Sequence, residues 1–89
     1  MRAIVTVIGK DRVGIIAAVC ILLADFGINI LDISQTVMQE LFTMNMLVDL
    51  SACSASYDAV SAALHAKGEE MGLSIRIQRE DIFQAMHRV

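Results

Sequence analysis

Few side chains in this 89-residue chain are of types that do chemistry, and their spacing joins none of them into a catalytic set. Cys20 lies inside an apolar helical run and Cys53 in a serine-rich loop, with no histidine at the spacing of a nucleophile and its base. Two cysteines make neither a disulfide framework nor the paired spacing of a zinc site, so both read as reduced structural thiols. His65 and His87 fall in different helical segments without a partnering carboxylate or a cysteine motif, and read as surface histidines rather than metal ligands. Gly9 and Gly14 have the glycine spacing of a phosphate-cradling loop, but that loop needs Lys and then Ser or Thr directly after the second glycine, where Ile15 and Ile16 stand. No cofactor and no enzymatic activity are expected. The methionines, Met44 and Met46 among them, read as core filler.

What remains is the segment Gly9-Lys10-Asp11-Arg12-Val13-Gly14. Asp11 is expected to cap the helix that follows, and Gly14 removes a Cβ where the chain turns, which leaves backbone N–H groups at a positive helix end. Such an end can hold a carboxylate. Asn29 opens the next strand, expected near the same end of the sheet, and its side chain both donates and accepts. Two readings stand: a capped helix with an ordinary strand-start Asn, or a clamp for the two charged groups of a free amino acid.

The elements that must position these residues are legible in the hydrophobic pattern. Arg2 to Ile8 is a nearly continuous β-branched run that predicts a central strand covered on both faces. Ile15, Ile16, Val19, Leu22, Leu23 and Phe26 recur at helical spacing, and Gly27 stops that helix. Its opposite face carries Ala17, Ala18, Ile21 and Ala24, small and apolar where charge belongs, to be covered by a second chain or by the C-terminal segment. Ile28 to Met38 predicts a second strand, less uniformly apolar and suited to a sheet edge, with Leu31, Ile33 and Val37 on one parity. A turn at Gln39-Glu40 leads to the strict alternation Phe42, Met44, Met46, Val48, Leu50, a half-buried strand.

Ser51 to Ser56 reads as a loop with cap-type residues before a helix whose face is Tyr57, Val60, Leu64, Gly68 and Met71, ended by Gly72. Leu73, Ile75 and Ile77 alternate as a fourth strand, and Ile82, Phe83, Met86 and Val89 stripe a short terminal helix. Two strand–helix–strand units joined by a hairpin make an α+β, ferredoxin-like βαββαβ plan. Right-handed crossovers put the first and third strands at the centre of a four-stranded antiparallel sheet with both helices on one face. The bare face needs a cover, and a homodimer or a host protein is the simplest.

Composition narrows the partners. Seven Lys and Arg against ten Asp and Glu, a net charge of -3, lack the basic footprint that nucleic acid requires. The longest apolar run, Ile15 to Ala24, is about half of what a membrane-spanning helix needs. With no basic leader and cleavage site, a cytoplasmic location is expected. A hydrophobic content of 56% and a mean hydropathy of +0.62 leave apolar surface for a partner.

The stretch Val7-Ile8-Gly9-Lys10-Asp11-Arg12-Val13-Gly14-Ile15, with Phe26-Gly27-Ile28-Asn29-Ile30 after the helix, resembles the ACT domain, a small regulatory module that binds amino acids. The resemblance spans residues 1–89 as a single ACT domain. Ser34-Gln35-Thr36-Val37, Phe42-Thr43-Met44 and the ending Ile82 to Arg88 are similar more particularly to free-standing UPF0237-type proteins, relatives of the glycine cleavage system repressor. The resemblance implies a ligand pocket at a homodimer interface, made by Asp11, Arg12, Val13 and Gly14 of one chain and Asn29 of its neighbour, with Ile15 and Ile30 lining it. Val13 departs from the proline of many ACT domains, and Gly9 and Asp11 stand where serine-sensing ones carry His and Asn, so no serine specificity is implied. The implied function is non-catalytic sensing of a small amino acid or similar metabolite, signalled to a regulatory partner; the alternative is an adaptor that binds protein and no ligand.

Overall fold

The computed structural model describes residues 1–81; the terminal helix expected from Ile82, Phe83, Met86 and Val89, and His87 with it, lies outside the described residues. Six elements follow in the expected order: β1 (Arg2–Lys10), α1 (Ile15–Asp25), β2 (Asn29–Met38), β3 (Leu41–Asp49), α2 (Tyr57–Met71) and β4 (Ser74–Arg79). The strands form one antiparallel sheet in the order β2-β3-β1-β4, with β1 and β3 at the centre as the crossover rule requires.

Alternation decides which face of the sheet is buried. Val5 and Val7 of β1 stand opposite Met46 and Met44 of β3, and all four are fully buried. Ile15, Val19 and Leu23 of α1 and Val60 and Leu64 of α2 close the same core, so the two central methionines are packing residues.

The continuous apolar run of β1 overstated its burial. Ile4 and Thr6 are half-buried and Ile8 is 42% exposed, because both helices lie on the side of Val5 and Val7. β1 is central in its hydrogen bonding but covered on one face only.

β2 is an edge, as its mixed composition indicates, but its parity differs from the expected one. A bulge between Ile30 and Asp32 shifts the phase, so Leu31 is the extra residue while Ile33 and Val37 pair with the buried Met46 and Phe42. The other edge is blunted: the Tyr57 hydroxyl donates to the Ile77 carbonyl of β4 at 2.8 Å. Burial pushes the Tyr57 phenol above its ordinary value, helped by Asp58 and opposed by Arg79.

Helix α2 starts at Ser56, whose hydroxyl accepts from the Ala59 amide at 3.1 Å, and ends at Gly72 in the left-handed region at φ 72°. α2 packs along β4 and α1 packs beside α2, which sets α1 toward the β2 side of the sheet.

Candidate ligand-binding turn

β1 runs up to Lys10, and residues 11 to 14 carry the chain over the end of the sheet into α1. Gly14 is the N-cap residue, at φ 92° and ψ 0°, a conformation open to glycine at little expense. No side chain caps α1, and no acidic residue stands in its first turn. The expected Asp11 cap is therefore incorrect: Arg12 and Val13 separate Asp11 from the N-cap, and its backbone is drawn elsewhere.

The Asp11 amide donates to the Glu40 carbonyl at 2.9 Å, pinning the turn to the tip of the β2–β3 hairpin. That tip is itself constrained, with Gln39 in the left-handed region at φ 56°. On the other side, Arg12 Nη1 donates to the Met71 carbonyl at 3.2 Å and so satisfies an end-of-helix acceptor of α2. Val13, directly after these anchors, is 98% exposed. These two anchors were missed at the sequence level, because they bind backbone carbonyls far along the chain and no residue type signals that.

The remaining site candidates divide between the two ends of the sheet. Ile15 is buried beneath the turn and belongs to the core. Asn29 pairs with Asp49, which pairs with Arg2, whereas Lys10 at the turn pairs with Leu41. Asn29 and the half-buried Ile30 therefore lie at the end opposite Asp11 to Gly14 in the same chain, and the expectation that Asn29 shares the turn's end is corrected. The reason is directional: α1 travels back along the sheet, so β2 must begin where β1 began.

The end that holds Asn29 has its own electrostatics. Asp49 Oδ1 accepts from the Ser51 hydroxyl at 2.6 Å and the Ser51 amide at 2.9 Å. Those bonds hold the Asp49 carboxyl below its ordinary value against an opposing desolvation, and the Met1 ammonium and Arg2 add smaller effects in the same lowering direction.

Both cysteines are free and partly buried. His65 differs from the expected unpartnered histidine: its Nε2 lies 3.0 Å from Glu69 Oε1, one helical turn on, in an exposed pair. Among the described residues no cluster of three or more His, Cys, Asp or Glu could hold a metal ion, and no helix is long and apolar enough to cross a membrane. Two shallow clefts, about 500 Å³ between α2 and β4 and about 410 Å³ around Arg2, Asp49 and Arg79, lie away from the turn. What the turn offers is chemically simple: an exposed loop at the N-terminus of a helix that no side chain caps, beside a fixed guanidinium.

Comparison with known proteins gives this architecture its class. A family model described as an ACT domain matches residues 2–78. A UPF0237 protein of Clostridium acetobutylicum is 61% identical over 89 residues, the whole of both chains. The solved ACT domain protein of Streptococcus pneumoniae is similar at a TM-score of 0.82 and 42% identity, covering 94% of each chain. A structure assigned to a glycine cleavage system transcriptional repressor is similar at a TM-score of 0.73 and 26% identity, over 86% of this chain and 44% of that one. The chain belongs to the ACT-domain family, and within it to the UPF0237 group.

Proposed function

We propose that this chain is a non-catalytic regulatory module of the cytoplasm that works as a homodimer and binds a small amino acid at sites shared between the two copies. In each site Asp11, Arg12, Val13, Gly14 and Ile15 come from one protomer, and Asn29 and Ile30 from its partner. The observation that carries the reading is the opposition of the two halves: the turn and Asn29 sit at opposite ends of one sheet whose β2 edge is open.

A second copy added antiparallel along β2 reverses the ends, so the Asn29 end of one β2 meets the hairpin tip, and with it the turn, of the other. Ile33 and Val37, 41% and 51% exposed on the helix side of β2, supply apolar surface for that junction. The small side chains of Ala17, Ala18 and Ala24 allow two α1 helices to approach closely, and Ile21, 62% exposed, supplies apolar surface between them. The ligand carboxylate would meet the first-turn N–H groups of α1, and its ammonium the Asp11 carboxylate and the Asn29 carbonyl oxygen. Binding that engages both chains couples the two sites and gives a regulatory partner a state to read.

Thermal unfolding against a panel of the twenty amino acids, at fixed protein concentration, tests the reading. A ligand at about a hundred times its Kd adds about 2.7 kcal/mol and moves the midpoint by several degrees. A shift with one or a few amino acids, lost in Asn29→Ala, is expected. No shift across the panel would replace the sensor with the ligand-free adaptor.

A further inference from the structure

The sheet face turned away from both helices is not used by the proposed ligand site. Its composition changes row by row in the observed register. One row crosses β3 and β1 at Leu47 and Ile4, both half-buried, and ends on β2 at the exposed Asp32. The next row crosses Asn45 and Thr6 and ends on β4 at the exposed Arg76. The Thr6 hydroxyl donates to Asn45 Oδ1 at 2.9 Å. No ion pair among the described residues involves Asp32 or Arg76.

This face is complementary to itself. We propose that it binds the same face of a second copy, about a two-fold axis running along the strands between β1 and β3. That operation keeps each row in place and exchanges β1 with β3 and β2 with β4. Ile4 then lies over the partner's Leu47, and Leu47 over the partner's Ile4, as one apolar cluster of four side chains. Thr6 lies over the partner's Asn45, whose amide N–H groups donate to the hydroxyl oxygen, closing a hydrogen-bonded ring across the axis. At the flanks Arg76 comes within one row, about 7 Å along the strand, of the partner's Asp32, a gap that an arginine side chain spans.

One operation matches apolar contact and hydrogen bonding row for row and brings the flanking charges within one row of each other, the self-complementarity that an isologous interface demands. The extent also fits. Three strands of nine or ten residues and a fourth of six, about 4.8 Å apart, give a footprint roughly 20 Å wide and up to about 30 Å long, of the order required by the roughly 800 Å² per partner of a stable interface. The contact is distinct from the β2 edge and does not rest on ligand binding; where both form, they join two dimers into a tetramer.

Sedimentation equilibrium on the full chain tests it. Leu47→Glu places carboxylates at the centre of the contact, and the molecular mass is expected to halve relative to wild type while far-UV circular dichroism is unchanged. Should Leu47→Glu fail to fold, Arg76→Asp, at an exposed edge position, is the second variant, with the same expectation. Adding Asp32→Arg to Arg76→Asp should restore the wild-type mass. An unchanged mass in a folded Leu47→Glu or Arg76→Asp variant overturns the proposal, whether the face is then covered by the residues after Asp81 or by another protein. An amino-acid-induced thermal shift that persists in Leu47→Glu separates this interface from the ligand site.

Discussion

Gly68 sits inside α2, where a glycine normally weakens a helix by about 1 kcal/mol relative to alanine. It is required there because a Cβ would stand 2.7 Å from the Leu73 carbonyl oxygen and 3.2 Å from Ile75 Cγ1. Gly68→Ala is therefore expected to destabilise the chain by about 1–3 kcal/mol in urea unfolding, against its helix propensity. Gly14 is the contrasting case: nothing lies within 4 Å of its would-be Cβ, and only its φ of 92° opposes a side chain. Asp49 illustrates a residue-level effect of pH. Its folded pKa is depressed, so its contribution is complete above the ordinary aspartate value and is lost as pH falls through the folded value. Asp49→Asn should thus narrow the stability difference between neutral and acid conditions, read from urea unfolding at a series of pH values between about 6 and about 2.

Among the elements, periodicity located every strand and helix of the described residues to within one or two positions, because all but the edge strand β2 bury a single face against one core. The same local logic failed where geometry is set by the chain's path. An unbroken β-branched run made β1 look buried on both faces, yet Ile8 is exposed because the topology puts both helices on one side. Asp11 has the chemistry of a cap, but the left-handed Gly14 delays the helix beyond its reach. Residue type alone suggests that Asn29 shares the turn's end, but a strand that follows a returning helix must start at the far end. The bulge at Leu31 leaves no sequence signature, and it decides that Ile33 and Val37 share the helix side of the open edge. That edge carries a prediction of its own: Val37→Lys, a charge at an exposed site, should leave urea-unfolding cooperativity intact while reducing the molecular mass in sedimentation equilibrium.

For the molecule as a whole, the two candidate half-sites lie at opposite ends of the sheet, and a single copy cannot bring them together. The ACT-domain family assignment and the open β2 edge agree with a site completed by a second copy. Under the proposed function dimerisation is a condition of sensing, so ligand affinity and assembly should rise and fall together. The most direct measurement is complementation by calorimetry, using the amino acid that shifts the wild-type midpoint. Asn29→Ala removes one half-site, and Val13→Glu sets a competing carboxylate at a position that is 98% exposed and so tolerates it. Neither variant alone should bind. An equimolar mixture, unfolded and refolded together, should recover about one site per four chains, since about half of the dimers are mixed and each mixed dimer holds one intact site. A mixture as silent as its components, with wild type binding normally, would contradict a site shared between chains.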